Sequence, residues 1–546
     1  MKRFTPRPLI IAISFLAVFA ISVASYAQSG ADSNEKPKTA ERTDVYHDLE
    51  IFTKILEKVS QNYVNEVDTH KLMKKAIDGM LSELDPHSQY LDGLDYEDLM
   101  VSTRGEFGGL GMLISFRDNF PTVMSPIDGT PAERAGIRGG DQIVEIEGQN
   151  TAGWTVDKAV GQLRGEPGTK IKFRIRHPND TDNTSTEYVL VREVINVSSV
   201  PYHGMLKEGV GYIRVSNFAQ KTAQEMETSL EELEGKGMRA LVLDFRSNPG
   251  GLLQTATEVS ELFLEKDKLL VYTKGRLANS NRKYYSANRS VHTGYPIIVM
   301  VNGASASASE IFAGAMQDWD AAFVVGQTSY GKGTVQTVFK LSDTEAVKLT
   351  TAKYYTPSGR SIHKAHQAVQ ADLEDDDDNE DDSLSPRPSP VDSTPRRTYS
   401  TVAGRKVYGG GGIVPDLAVV PDSLPSLTRR VETRSLTFRF SNRWVNQHPG
   451  LKLAPPNEAQ WKAFVEFLGA EKVPATAAEL QAERPLLERS IHREMARRLS
   501  GDPAAAKVAL EGDPVFEQAL DILTRARTAR EVFKIAAASG NGTTTR

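Results

Sequence analysis

The chain contains no cysteine. That excludes disulfides, thiolate zinc sites, iron–sulfur clusters, a cysteine nucleophile and a lipidated cysteine anchor. It also lacks a dominant charge: 65 Lys and Arg stand against 71 Asp and Glu, a net −6. Nothing therefore draws the molecule as a whole toward nucleic acid. With 39% hydrophobic and 25% charged residues, it is too polar for a polytopic membrane protein and too apolar for full disorder. Its 546 residues suit three or four domains.

Long apolar runs are missing with one exception. Leu9 to Ala24 is broken only by Ser14 and Ser22, follows Lys2, Arg3 and Arg7, and precedes Ser25-Tyr26-Ala27. A basic start, a short apolar stretch and small residues before a cut after Ala27 read as a secretory signal peptide over 1–27. Sixteen residues are short for a span of about 20, although an uncleaved segment would tether the chain to the inner membrane. The expected location is a bacterial periplasm. Residues 28–42 are polar and read as a flexible lead-in.

Along the rest, the pattern changes character several times. Phe52, Ile55, Leu56, Val59 and Tyr63 fall on one helical face, and 43–102 reads as a helical region that breaks at Asp85-Pro86. His87 after that break reads as a turn residue. From 103 to 190 short strands alternate with glycine turns, as in "FGGLGMLI", "AERAGI", "GDQIVEIEG" and "RGEPGT". This order resembles a PDZ domain, a module that takes a peptide C-terminus by strand addition. On that resemblance the carboxylate loop is Gly109, Leu110, Gly111 and Met112, with Val160 on the facing helix. Glycines there let successive amides turn toward an anion.

Residues 191–365 and 400–420 alternate buried strands with helices, which argues an α/β domain. Between them, 366–399 carries nine acidic residues in Asp372–Asp382 and then Ser-Pro-Arg-Pro-Ser-Pro. Such a segment cannot bury a core and reads as a disordered insertion. Its contiguous acids lack the spacing of a calcium loop. Residues 421–546 read as a helical extension with no motif.

Two segments leave strand ends and open helices. "DFRSNPGGLL" (244–253) puts Gly250 and Gly251 where backbone amides are exposed, good geometry for an oxyanion hole. "NGASASASEIF" (302–312) offers Ser305, Ser307 and Ser309 at a tight turn. No Gly-x-Ser-x-Gly elbow is present, and His292 and His363 sit in no motif that would make a triad. A lysine is the other possible activator, and Lys332 lies between Gly331 and Gly333. Gly326, Gly331 and Lys332 approach a phosphate loop, but Gly333 stands where Ser or Thr should hold magnesium, and Thr334–Phe339 alternates like a strand.

"NGASASASEIFAGAMQD", "VVGQTSYGKGTVQT" and "LDFRSNPGGLL" together resemble the C-terminal processing peptidases, a family of tail-specific serine proteases. The likeness runs over roughly residues 45–420. It implies a multidomain architecture: an α/β serine-protease core, a PDZ module and helical termini. It implies Ser307 as nucleophile, Lys332 as general base, Gln336 orienting the lysine, and oxyanion amides at Gly250 or Gly251 with Ala308. No metal or other cofactor is needed. The expected partners are proteins with exposed C-terminal tails, an adaptor protein, and a second copy of the chain. A free lysine near 10.4 is almost wholly charged at neutral pH, and burial can lower it by roughly 3–5 units. Two other readings remain open: a catalytically silent PDZ scaffold, and an acyl hydrolase using the same crevice.

Overall fold

The computed structural model describes residues 39–177, 184–287, 292–364 and 397–540. The expected signal peptide and the acidic run Asp372–Asp382 lie outside the described residues.

Residues up to Glu83 form one compact unit. It consists of helices α1 (Thr39–Asn62) and α2 (Thr69–Ser82). α1 starts inside the span expected to be flexible, because Thr39-Ala40-Glu41-Arg42 contains good helix formers. Asp68 caps α2 by accepting the Lys71 N–H at 3.1 Å. The apolar stripe of α1 is exposed at Tyr46, Leu49, Phe52 and Ile55.

The second unit runs from Leu84 to the C-terminus. It opens with strand β1 (Gln89–Asp92) and helix α3 (Gly93–Arg104). β1 departs from the helical expectation for 43–102. Four residues are too few to show period-2 alternation, and the strand exists because it pairs with a longer partner. The PDZ module follows as β2 (Glu106–Gly109), β3 (Met112–Arg117), β4 (Phe120–Pro126), β5 (Gln142–Ile146), helix α4 (Val156–Leu163), β6 (Lys170–Arg176), β7 (Thr186–Val191) and β8 (Glu193–Asn196). Its sheet order is β3-β4-β5-β6-β7, while β2 pairs separately with β8. β8 carries the module past the expected boundary at 190. Ile143, Ile146, Ile171, Phe173 and Ile175 fill its core.

From Tyr202 the chain builds two further sheets. In order come β9 (Tyr202–Met205), β10 (Val210–Arg214), α5 (Thr222–Gly235), β11 (Ala240–Asp244) and α6 (Leu253–Glu261). Then follow β12 (Leu269–Lys274), β13 (Lys283–Tyr285), β14 (Ile297–Val301), α7 (Ala308–Asp318), β15 (Phe323–Gly326), β16 (Thr334–Lys340), β17 (Glu345–Tyr355) and β18 (Leu417–Ala418). The main sheet is β9-β10-β11-β14-β15-β18. All its neighbours are parallel except β9 and β10. Every residue of β11 and β14 is buried, as expected for parallel strands covered on both faces. The second sheet runs β1-β17-β12-β13, with β16 paired to β17. Folding resumes at a short hairpin, Thr398–Ser400 with Lys406–Tyr408, slightly ahead of the expected position 400.

Helices α5 to α7 cover one face of the main sheet. The C-terminal extension forms α8 (Ser426–Thr433), α9 (Leu436–Gln447), α10 (Glu458–Ala470), α11 (Ala477–Leu510, interrupted at Gly501), α12 (Pro514–Arg525) and α13 (Ala529–Gly540). Helices α12 and α13 cover the other face, where Phe516, Ile522, Leu523 and Val532 pack on Tyr212, Val242, Ile298 and Phe323. The remaining four helices enclose their own core around Phe440, Phe464, Leu487 and Ile491. No helix of the described residues is long and apolar enough to cross a membrane.

Candidate active site

Two loops leave the C-terminal ends of the adjacent parallel strands β11 and β14, the usual place for a crevice in an α/β sheet. Buried polar groups join them. The Ser305 hydroxyl donates to the Phe245 carbonyl at 2.8 Å, and the Ser309 hydroxyl to the Asn248 carbonyl at 3.0 Å. That same carbonyl accepts the Ala306 N–H at 3.0 Å. Both rival serines are fully buried, and both hydroxyls are committed to this loop-to-loop contact. Ser307 between them remains partly exposed.

Ser307 has φ 55° and ψ −113°. This is a costly conformation for a residue with a Cβ, on the order of 1–3 kcal/mol. It places the serine on a sharp strand-to-helix turn, the geometry of a nucleophile elbow, built here with Ser305 and Ser309 at the two positions where that motif has glycine. The turn is crowded. A Cβ at Gly250 would lie 2.8 Å from the Ser307 Cβ and 2.7 Å from the Ala306 oxygen, so only glycine allows the two loops to approach this closely.

The Gly250 N–H donates to Asn248 Oδ1 at 2.9 Å. Among the described residues the N–H groups of Gly251 and Ala308 have no hydrogen-bond acceptor. Ala308 is the first residue of α7, so its amide carries the positive end of that helix. The loop rests on Asp244, which is buried and held below the usual carboxylate range. Burial pushes it upward, but Arg246 and Arg214 overcome that push. Arg246 also bonds Asp513, the cap of α12, at 2.5 Å.

Lys332 sits in the loop between β15 and β16. Its neighbour Gly331 has φ +92°, a conformation that favours glycine, and packs tightly against Lys364 and Gly412. One carboxylate ties this loop to the serine turn. Glu310, fully buried, accepts the N–H groups of Ser307 (2.8 Å), Lys332 (2.9 Å) and Gly331 (2.7 Å) and the Ser329 hydroxyl (2.5 Å). Burial pushes its pKa up, and the four donors work against that push. Because all four partners are donors, the group is built in as an acceptor-only carboxylate. The Tyr354 hydroxyl adds a second tie, reaching the Lys332 carbonyl at 2.5 Å and the Ser307 carbonyl at 3.1 Å.

The Lys332 amine is depressed below the ordinary lysine value of 10.5. Burial is the main cause and the like charge of Lys348 the next; Asp85 and Glu310 oppose them. Asp85 and Glu310 act on it through charge alone, with no side-chain hydrogen bond to the amine. The Gln336 amide donates to Thr334 Oγ1 at 2.9 Å and Thr350 Oγ1 at 3.3 Å. No hydrogen bond between Gln336 and Lys332 is present among the described residues. The Thr350 N–H donates to Ser88 Oγ at 3.2 Å, and in the same turn the Asp85 carboxylate accepts the N–H groups of His87 and Ser88.

The candidate peptide loop lies at the open edge of the PDZ sheet, since β3 is the terminal strand. Gly111 at φ +78° packs against Thr130. Leu110 is buried in the module's core, while Met112 and Val160 are partly exposed.

Sequence reasoning missed Glu310, Tyr354, Lys348 and the Asp85 turn. An acid in the first turn of a helix looks like an ordinary dipole partner, and only its burial reveals another task. Tyr354 and Lys348 lie on a strand, β17, that carries no motif.

Residues 209–374 match Peptidase family S41, residues 122–177 a PDZ domain, and residues 11–94 the N-terminal domain of the activating protease CtpB. A carboxy-terminal-processing protease of Bartonella bacilliformis is 41% identical over 350 residues, covering 62% of this chain and 77% of its own. The carboxy-terminal processing protease CtpB of Bacillus subtilis is 36% identical over 340 residues, covering 60% and 70%. Among solved structures, a photosystem II D1 C-terminal processing protease aligns with 69% of this chain and 94% of its own, at 25% identity and a TM-score of 0.35. With the serine turn and the lysine loop on adjoining elements of an α/β core, and with relatives of this similarity and coverage, the chain belongs to the carboxy-terminal processing proteases of peptidase family S41 and is a serine protease.

Proposed function

We propose that the chain is an endopeptidase that cuts protein substrates near their C-termini with a Ser307–Lys332 dyad. The observation that carries this reading is Glu310, one buried carboxylate that holds the backbone of both residues. Neutral Lys332 takes the proton of the Ser307 hydroxyl as its oxygen attacks the substrate carbonyl carbon. The carbonyl electron pair moves onto oxygen, and the free N–H groups of Gly251 and Ala308 are the donors available to it. Collapse expels the amine, which takes the proton from Lys332. Water then gives a proton to Lys332, attacks the acyl-enzyme and releases the acid, and Ser307 regains its proton. Gln336 has its NH2 engaged by two threonines, which leaves its carbonyl oxygen as the acceptor that orients Lys332.

In this reading the PDZ edge captures the substrate tail. A peptide would add to β3, with its carboxylate at the Gly109–Met112 loop. Residues 1–27 direct export to a periplasm, an adaptor protein is a further partner, and the exposed stripe of α1 is a surface on which two copies pair.

The test uses a tailed protein substrate and purified enzyme. Ser307→Ala and Lys332→Ala should each lower kcat/KM by at least about 1,000-fold, while a fluorescent tail peptide still binds. Activity within tenfold of the parent in either variant would remove the dyad. Amidating the substrate C-terminus should weaken capture; equal cleavage of both forms would remove the tail-capture role.

A further inference from the structure

Between the PDZ module and the C-terminal extension lies a cavity of about 620 Å³, the size of an ordinary ligand pocket. One wall comes from the PDZ module: Leu113 of β3, Pro126 of β4 and the turn Gly136–Gly139. The other comes from Phe438 and Asn442 of α9 and from Glu494–Pro503 of α11. The walls meet where Ser125 Oγ donates to Asp502 Oδ2 at 3.4 Å and where a Cβ at Gly139 would stand 3.6 Å from Asn442 Oδ1. The cavity shares no residue with the Gly109–Met112 loop, and no step of the proposed reaction uses it.

Its charged groups are of two kinds. Arg497 is satisfied: it meets Glu494 at 2.5 Å and Asp502 at 2.8 Å, which occupies those two carboxylates. Arg138 and Arg498 are not. Among the described residues the Arg138 guanidinium bonds no carboxylate; the residue engages through its backbone N–H, which donates to Asp141 Oδ2 at 2.8 Å. Arg498 Nη2 donates to Asn446 Oδ1 at 3.1 Å, and its Nε is buried without a partner. Burial, and next the like charge of Arg138, depress Arg498 below its ordinary 12.5. Asp141 opposes them, but its other oxygen already meets His177 Nδ1 at 2.7 Å.

Asn442 supplies a second orphan. It is only 5% exposed. Its Nδ2 donates to the Phe438 carbonyl at 3.0 Å, while its Oδ1 is buried with no donor. A buried polar atom without a partner is costly, and two of them on one cavity call for an occupant. That occupant must bring negative charge to the two arginines, an N–H to Asn442 and apolar groups to Ile137, Phe438 and Leu499. An inorganic anion meets the first demand alone, and a fatty acid the first and third. A peptide carrying a Glu or Asp between apolar residues meets all three. The exposed Asp128 and Glu133 also line the cavity and disfavour a long run of acids.

We propose that this cavity is a docking site for a short, singly acidic peptide segment, gripped by Arg138 from the PDZ module and Arg498 from the C-terminal extension. Such a segment bridges the two walls. It gives a protein ligand a hold that does not depend on its C-terminus.

The probe is a fluorescent peptide with one Glu between leucines, acetylated and amidated so that it offers the tail loop no carboxylate. A Gln peptide is its control. Binding is read by anisotropy on the full chain carrying Ser307→Ala, which leaves the probe uncut. The Glu peptide should bind about tenfold or more tightly than the Gln peptide. Arg138→Gln and Arg498→Gln should each weaken the Glu peptide about tenfold, toward the affinity of its control. Equal affinity of the two peptides overturns the proposal, and so does unchanged binding in Arg138→Gln. Arg138 is exposed, so that variant gives the reading if Arg498→Gln does not fold. Inorganic phosphate is titrated in parallel: phosphate that displaces the probe at concentrations below the probe's own Kd would assign the arginines to a free anion and overturn the peptide. A lower melting temperature in Arg498→Gln with probe binding intact would mark a purely structural arginine and do the same.

Discussion

Glu310 accepts four hydrogen bonds, so glutamine in its place would turn an NH2 toward at least one backbone N–H. Oε2 faces Ser307 and Lys332, and Oε1 faces Gly331 and Ser329. Either amide orientation therefore orphans a buried donor, at roughly 1–3 kcal/mol each. Glu310→Gln should unfold in urea with about 2–4 kcal/mol less stability and lose cleavage about 100-fold or more, because both reacting loops shift. Unchanged urea midpoint and rate would mean that the four contacts do not position the dyad. The base itself sets a pH dependence. Lys332 releases its proton below 10.5 in the fold but near the ordinary value when unfolded. Between those two points the unfolded chain binds more protons, so the lysine's penalty on stability is full at low pH and vanishes as pH rises past 10.5. Lys332→Met should thus be inactive yet more stable than the parent at pH 7, with the gap closing toward pH 10.5 in urea titrations. A gap of constant size would show that the amine is not depressed.

At the scale of elements, α3 links the PDZ module to the strands behind the dyad. Its Asp98 pairs with Arg164 at 2.5 Å, just past the end of α4. Its Leu94 lies against Gly161 of α4, where an added Cβ would come within 3.3 Å. The residues directly before α3 form β1, which pairs with β17, the strand that carries Thr350 and Lys348. Gly161→Leu should push α3 away from α4 and cost about 1–3 kcal/mol. It should also change the ratio of tailed to amidated substrate cleavage while tail-peptide affinity stays within about twofold. If that ratio matches the parent, α3 does not couple the two. None of this link was legible in the sequence. The buried strands β10, β11, β14 and β15 announce themselves as apolar runs between glycine-rich turns, and Ser307 and Lys332 sit in loops that such runs point to. β1 is too short to signal itself. The parts of the site that act through burial, Glu310 and Tyr354, look in sequence like surface acid and ordinary strand aromatic. Apart from Ser307, three positions before Glu310, their partners are 19 or more positions away, beyond any local pattern.

For the whole molecule, the C-terminal extension is the other half of the peptidase core. A parallel sheet must be covered on both faces, and the first face is closed by α5, α6 and α7. The second is closed by chain from beyond residue 510: Val515, Phe516, Ala519, Ile522, Leu523 and Val532. The Tyr212 ring meets Phe516 edge-on at 5.9 Å, and Phe323 meets Phe533 at 5.4 Å. Asp513 joins this cover to the catalytic loop by capping α12 and bonding Arg246, which in turn holds Asp244 beneath the Gly250–Gly251 turn. A chain ending at residue 510 would expose that face and leave Arg246 with one partner fewer. It should aggregate or bind a hydrophobic dye, and it should lose cleavage even where it stays soluble. The smaller change Asp513→Ala keeps the cover. It removes a cap and an ion pair, and should cost about 1–2 kcal/mol with cleavage reduced but present. A truncated chain that remains monomeric and cuts at the parent rate would mean that the extension is dispensable; full activity in Asp513→Ala together with a lower melting temperature would confine that residue to holding the helix.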